Sequence, residues 1–199
     1  IVRFKDFNLD IAVPAIEECS KFAEEVLAPI NADGDKHGAK FNNGVVNMPP
    51  GFIEAYEKFK NAGWASISLP SEIGGGGMPY LLSGGALEIL CTANMAFVLG
   101  PGLSVGAISG INEHASQEQK DKYLYPTLRG EKRGFFGLSE PSGGSDPARA
   151  IQTKAVRDGD NWIINGSKLW ISGADRADFG LVFARTDSSK GRNGVTCFI

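Results

Sequence analysis

Phe135-Phe136-Gly137-Leu138-Ser139-Glu140-Pro141-Ser142-Gly143-Gly144-Ser145-Asp146 carries an apolar run into a turn rich in Pro, Gly and Ser. Such a turn can converge main-chain N–H groups on an anion. Gly143 and Gly144 can adopt positive φ and let a ligand approach the backbone, and Ser145 adds a hydroxyl donor. Further along, Lys168-Leu169-Trp170-Ile171-Ser172-Gly173 reads as a strand ending in an aromatic ring and a small hydroxyl. An anion-holding turn together with a Trp/hydroxyl edge suits a nucleotide cofactor that carries a flat ring system.

Other residues compete for chemical roles. Ser139 and Ser145 are potential nucleophiles, but neither sits in G-x-S-x-G, and neither His37 nor His114 is paired with a serine, which argues against a serine hydrolase. Asn31, Asp33, Asp35 and His37 alternate as metal ligands can. A calcium loop, however, would want Gly where Lys36 stands and Glu where Asn42 stands, so no metal site is expected. The run Gly74–Gly77 lacks the Lys-Ser/Thr of a phosphate loop and reads as a linker. From the strand pattern alone, Trp170 reads as a core residue. Glu140 and Asp146 read as structural carboxylates that satisfy turn amides.

In this order and spacing, Leu138-Ser139-Glu140-Pro141, Gly144-Ser145-Asp146, Asn165-Gly166-Ser167-Lys168 and Trp170-Ile171-Ser172 resemble the flavin-binding signature of the acyl-CoA dehydrogenase family. The likeness covers nearly the whole chain. Members commonly carry Thr where Ser139 and Ser172 stand and Asn where Gly173 stands; both hydroxyls are kept. The family's third domain, a carboxy-terminal helical bundle, has no counterpart here. A start at Ile1 without Met and an end at Cys197-Phe198-Ile199 inside an apolar strand read as a fragment. The loop Gly34–Lys40 followed by Pro50-Gly51-Phe52 resembles the methylthiopropanoyl-CoA subgroup.

The resemblance implies FAD as cofactor, with Phe136, Gly137, Leu138 and Ser139 along the flavin ring and Gly144 and Ser145 at the pyrophosphate. Trp170 and Ile171 would lie beside the isoalloxazine, and Ser172 would bond near its reactive edge. It also implies an acyl-CoA site bordered by Ser145, Val98, Gly102, Leu103 and Gly106. The implied reaction is α,β-dehydrogenation of an acyl-CoA thioester to the trans-2-enoyl-CoA, with electrons passed to an electron-transfer flavoprotein. Alternatives within reach of the same residues are an acyl-CoA oxidase using oxygen and a non-catalytic flavin or acyl-CoA binding subunit. The family's general base is a Glu carried in or just before the third domain. Glu88, Glu113 and Glu118 offer no substitute, so no catalytic residue is expected in this span. A homo-oligomer, dimer or tetramer, in the bacterial cytoplasm or the mitochondrial matrix is implied.

The elements that must position these residues follow from composition and period. A chain of 199 residues with net charge −3 has ample core and no basic footprint for nucleic acid. Cys19, Cys91 and Cys197 are far apart and read as free buried thiols. No basic region followed by an apolar stretch opens the chain. Leu81–Ile111 holds one charge, Glu88, and is long enough to cross a bilayer, but its glycines and Pro101 predict two core helices joined near Gly100-Pro101 rather than a membrane span.

Ala12 to Ile30 predicts an amphipathic helix with Asp10 as N-cap, Pro14 in its first turn and Pro29 at its end, followed by a polar surface loop from Asn31 to Asn47. Phe52–Ala62 predicts a second helix, and Ser116-Gln117-Glu118-Gln119 a capping box that opens another. Gly102, Gly106 and Gly110 form one bare helical stripe, read either as helix packing or as room for a bulky acyl group. Near Gly134 the period changes to alternation, with an Asp158-Gly159 hairpin and strands at Leu169–Ser172, Phe179–Arg185 and Gly194–Ile199. The expected fold is α+β: an all-α helical domain, residues 1–131, then an antiparallel β-barrel or sandwich-like domain, residues 132–199.

Overall fold

The structure, a computed structural model, describes residue 4 and residues 7–199, apart from the side chain of Leu103. Helix α1 (Leu9–Phe22) starts at Asn8, whose Oδ1 accepts from the Ile11 amide at 3.2 Å. Asp10 therefore lies inside the first turn instead of capping it, and Pro14 falls within the helix. Pro29 does not end the helical run either. A π-turn (Ala23–Leu27) and a 3₁₀ turn (Ala28–Ile30) carry it into α2 (Asn31–His37), with Pro29 at the start of a turn, where its missing N–H goes unneeded. Gly38, at φ +60°, closes α2.

The expected polar loop is thus a helix followed by a hairpin, β1 (Lys40–Asn42) and β2 (Val45–Asn47), joined by Asn43 and Gly44, both at positive φ. That is the backbone a two-residue hairpin turn requires, and Asn-Gly is its strongest sequence signal.

Two compact units make up the chain, one running to Val105 and including Leu128–Gly130, the other holding Gly106–Thr127 and Glu131–Ile199. In the first, α3 (Phe52–Asn61) buries Phe52, Ala55 and Phe59. Phe97 meets Phe52 and Phe59 edge-on, each at 5.8 Å, over a core that also takes Cys19, Ala23, Leu27, Leu90 and Val98.

Helix α4 (Tyr80–His114) is broken at Asn94 (φ −161°, ψ 85°), not at Gly100-Pro101. Asn94 is buried, its Oδ1 accepting from the Phe97 amide at 3.0 Å and its Nδ2 donating to the Leu27 carbonyl at 3.3 Å. It caps the second half of the helix and replaces the lost ladder bonds, which neither Gly100 nor Pro101 has a side chain to do. Tyr80–Gly102 is long and apolar enough, by length and composition, to cross a membrane. Ala86, Leu90, Phe97 and Val98 place one side of it in the core.

In the second unit, α5 (Gln117–Gln119) opens on the expected capping box, Ser116 Oγ accepting from Gln119 N and Gln119 Oε1 from Ser116 N. It passes through a π-turn (Lys120–Leu124) into α6 (Tyr125–Leu128). Strand β3 (Gly134–Gly137), helix α7 (Pro147–Ala150) and strands β4 (Lys154–Asp158), β5 (Asn161–Asn165), β6 (Phe179–Arg185) and β7 (Val195–Phe198) follow. The expected Asp158-Gly159 hairpin joins β4 to β5, with Gly159 at φ +59°.

β6 is the hub. It pairs parallel with β3 (Gly134↔Phe179 to Gly137↔Val182), antiparallel with β7 (Val182↔Phe198 to Arg185↔Val195), and parallel with β4 at Lys154↔Arg185. The β region is therefore an open, sandwich-like sheet of mixed direction, not a closed barrel and not wholly antiparallel. The long excursion between β3 and β6 lets the chain re-enter in the same direction, which short hairpins cannot do.

Leu169–Ser172, expected as a strand, carries no ladder. The glycine stripe of α4 faces the sheet at its lower end: a Cβ at Gly110 would lie 3.2 Å from Leu181 Cδ1, and one at Gly106 4.0 Å from Phe136 Cδ2.

Candidate functional site

β3 delivers the first half of the site. Phe136 packs on Phe183 of β6 with ring centroids 4.9 Å apart, and Gly137 ends the strand, so Leu138 and Ser139 leave the sheet as irregular backbone. The chain then folds on itself, Glu140 N donating to Gly143 O at 3.1 Å and Gly143 N to Glu140 O at 2.9 Å. Gly143 takes φ +137°, as its composition predicts. Gly144 does not have positive φ; what it supplies is space, since a Cβ there would fall 2.5 Å from Ser139 Oγ.

Beyond this point the Gly144 and Ser145 amides and the Ser145 hydroxyl have no acceptor among the described residues, and Ser145 is exposed. The turn is braced from behind. Ser142 Oγ donates to Ala150 O at 2.6 Å, and Arg185 donates to the carbonyls of Ala148, Gly191 and Ile151. Asp146 satisfies no turn amide with its side chain; it forms an exposed ion pair with Arg149 at 3.4 Å.

The second half comes alongside through one bond, Leu169 N donating to Ser139 O at 3.0 Å. Trp170 follows at φ +60°, with 85% of its surface exposed. A bulky residue in the left-handed region with its ring in solvent is an outlier on both counts. Ile171 is half-buried, and Ser172 and Gly173 are exposed at the start of a turn.

Beneath both halves lies a buried ion pair that sequence reasoning missed. Lys168 Nζ sits 2.7 Å from Glu140 Oε1, and Glu140 also accepts from the amides of Gln152 (2.6 Å) and Thr153 (3.1 Å). Burial alone would raise the Glu140 carboxyl. The bonds from Lys168 and the Gln152 and Thr153 amides win, lowering it to about 2. A signal for the pair was present in the Lys168 that ends Asn165-Gly166-Ser167-Lys168, but its partner stands too far away in sequence to be matched to it.

The expected acyl residues are placed unevenly. Val98 is buried in the core of the first unit, Gly102 faces open space, and the side chain of Leu103 lies outside the described residues. A Cβ at Gly106 would come within 4.0 Å of Phe136 Cδ2. Glu88, Glu113 and Glu118 are exposed on or near helices, and among the described residues no His/Cys/Asp/Glu group could hold a metal. The cysteines are free; Cys19 is buried, but Cys197 is exposed on β7, contrary to the expectation of buried thiols, because its side of that strand faces solvent.

Chemically, then, the site offers free main-chain and hydroxyl donors for an anion, an exposed aromatic face, and a buried carboxylate locked as an anion.

Known proteins share this arrangement of sequence and fold. The family profile "Acyl-CoA dehydrogenase, N-terminal domain" matches residues 15–131, and "Acyl-CoA dehydrogenase, middle domain" matches residues 135–199. The chain is 37% identical to the 3-methylmercaptopropionyl-CoA dehydrogenase of Ruegeria pomeroyi, over 98% of its own length and 34% of the relative's. Among solved structures it superposes on butyryl-CoA dehydrogenase from Megasphaera elsdenii with a TM-score of 0.79 at 30% identity, covering 96% of this chain and 49% of that one. A chain in a structure described as the electron transferring flavoprotein of Acidaminococcus fermentans gives 0.80 at 34% identity, covering 96% and 48%. The chain thus spans between a third and a half of the proteins it matches. With the Ser139 and Trp170 pieces of the signature joined by the Leu169–Ser139 bond and both domain profiles matched in order, the chain belongs to the acyl-CoA dehydrogenase family.

Proposed function

We propose that this chain contributes most of the FAD site and one wall of the acyl site of a flavin-dependent acyl-CoA dehydrogenase. The protein would convert an acyl-CoA thioester to the trans-2-enoyl-CoA and pass electrons to an electron-transfer flavoprotein. One observation carries the reading: the Leu169 N–Ser139 O bond sets an exposed, strained Trp170 beside a turn whose Gly144 and Ser145 donors lack acceptors. An aromatic face next to unused anion donors fits a dinucleotide with a flat ring better than it fits solvent. Residues 1–131 and 132–199 are taken as the family's helical and middle domains.

In this reading Gly144 and Ser145 bind the pyrophosphate. Phe136, Gly137, Leu138 and Ser139 line the ring edge, Trp170 and Ile171 cover the ring, and the Ser172 hydroxyl orients its polar edge. Val98, Gly102, Leu103, Gly106 and Ser145 border the acyl group. FAD, when bound, supplies the hydride-accepting chemistry.

The chain's own residues bind and orient, and none of them is the general base. Glu140 is the buried carboxylate nearest the turn. Held to a pKa of about 2 by Lys168 and the Gln152 and Thr153 amides, it is too weak a proton acceptor at neutral pH to remove an α-proton.

The test is an anaerobic titration of the full-length protein with acyl-CoA thioesters of graded length. Bleaching of the flavin band by one equivalent supports the dehydrogenase. A flavin band untouched by every thioester overturns it, and rapid reoxidation by air in place of electron-transfer flavoprotein would reassign the protein as an oxidase.

A further inference from the structure

We propose that Lys168 is a positioning residue for the cofactor, holding the Leu138–Glu140 turn and the Leu169–Trp170 segment together through three convergent bonds; the inference rests on the flavin reading above. Residues 166–169 have no regular secondary structure, so no ladder holds them. Among the described residues, the hydrogen bonds that hold them come from the Leu169 amide, donating to Ser139 O, and the Lys168 ammonium.

That ammonium donates to Leu138 O at 3.2 Å, Glu140 Oε1 at 2.7 Å and Phe183 O at 2.6 Å, two acceptors on the Leu138–Glu140 turn and one on β6. An ammonium has three protons, and all three are used. Two acceptors are main-chain carbonyls at the end of β3 and in the middle of β6, so the contact is a backbone clamp as much as an ion pair. Glu140 extends the clamp to the other end of the turn by accepting from the Gln152 and Thr153 amides. Gly166, just before Lys168, touches the Thr153 side chain so closely that a Cβ would collide with its Oγ1, which pins the entry to the segment.

The geometry also says why a clamp is needed. Two residues past Lys168 the chain enters the left-handed region at Trp170, with the ring in solvent. A strained, exposed residue keeps its conformation only when its surroundings impose it. Buried ion pairs contribute little net stability compared with apolar replacements, so a purely stabilising role would not require this one.

The experiment compares the full-length wild type with Lys168→Met and with Leu124→Ala, a core cavity in the same unit that takes no part in the turn. FAD dissociation constants are measured on the loaded protein. Thermal midpoints and hydrogen exchange at the Leu169 amide are measured on the flavin-stripped protein.

Lys168→Met is expected to weaken FAD binding by about tenfold or more and to speed Leu169 exchange by a similar factor. Leu124→Ala, with an equal or larger loss of thermal midpoint, should keep FAD affinity within roughly threefold. Lys168→Met binding FAD as the wild type does overturns the proposal. So does a Leu124→Ala variant that loses as much affinity, because the effect would then be stability alone.

Should Lys168→Met fail to fold, Glu140→Gln replaces it. That variant keeps the carbonyl bonds and removes the charge, and an unchanged Leu169 exchange rate in it counts against the clamp. If the wild type itself binds no FAD, the functional reading falls while the Leu169 exchange comparison still decides whether Lys168 holds the segment.

Discussion

Ser145 and Trp170 test the site most directly at the scale of single residues. In the full-length protein, Ser145→Ala removes a hydroxyl with no acceptor of its own among the described residues, so its effect on the fold should be small. Loss of a charge-assisted bond to a pyrophosphate is about 1.5–3 kcal/mol, or roughly tenfold to a hundredfold in FAD affinity. Trp170→Gly separates function from fold. Relief of the left-handed strain should raise stability by about 1 kcal/mol in a thermal melt, while FAD binding weakens because the ring is gone. If affinity survives both changes, the cofactor does not lie at this edge.

Glu140 adds a pH signature. Its carboxyl is lowered in the folded chain from 4.5 to about 2, so the stability it contributes is fully present above the unfolded value and is lost as pH falls toward 2. Acid unfolding followed by circular dichroism should show a loss between these values that Glu140→Gln abolishes. A wild-type profile flat across that window would mean the ion pair is not formed in solution.

Helix α4 is where element-scale predictions belong. Asn94→Ala leaves the Phe97 amide without its cap and the Leu27 carbonyl without its donor, both in the core, and should destabilise by about 1–3 kcal/mol in a denaturant titration. A loss below 0.5 kcal/mol, a rough bound for a surface change, would mean the break does not depend on Asn94.

The glycine stripe divides into parts with different fates. A Cβ at Gly102 meets nothing within 4 Å, so Gly102→Ala should stabilise by about 1 kcal/mol through helix propensity. Gly110 lies under Leu181, and Gly110→Leu should destabilise by about 1–3 kcal/mol through overpacking. Gly106 lies between them, and a Cβ there would come within 4.0 Å of Phe136 Cδ2. If the acyl group runs past it, Gly106→Leu lowers turnover of bulky thioesters, spares short ones and leaves the thermal midpoint in place. Equal loss on all chain lengths would make the whole stripe a packing surface.

On the scale of the whole molecule, several large apolar side chains stay exposed on α4 and on the β4–β5 hairpin. Tyr80, Leu81, Met95 and Leu99 of α4 are each more than half exposed, and so is Val156 on β4, with Ile163 beside it on β5. Patches of this kind mark surfaces that something covers. With the family's homo-oligomer as the proposed assembly, the full-length protein should sediment as a dimer or tetramer. The 199-residue chain alone should bind an apolar dye and hold FAD poorly. Stoichiometric FAD on a monomer of the isolated chain would show that nothing beyond these residues completes the site.

Local rules were enough to locate much of this protein. Period, capping and turn chemistry are short-range, and they placed α3, the capping box at Ser116, the change to strands at Gly134 and the Asp158-Gly159 hairpin. The motif pieces around Ser139, Ser145 and Trp170 were legible for the same reason, because each is contiguous. Asn43-Gly44 is an equally local hairpin signal, set in a stretch whose polar composition reads as a loop.

Pairings between distant residues were not legible. Nothing near Asn94 announces that its amide will find Leu27, so local sequence points to the glycines and Pro101 for the break in α4, and the structure puts it at Asn94. The parallel pairing of β3 with β6 depends on where a long excursion returns the chain. Leu169–Ser172 has the composition of a strand but no neighbour to pair with, since Lys168 and the Ser139 carbonyl take hold of it first. Local propensity sets which conformations each stretch can adopt; long-range hydrogen bonds, among them the clamp at Lys168, choose one, and that choice puts Trp170 in solvent beside the open donors of the turn.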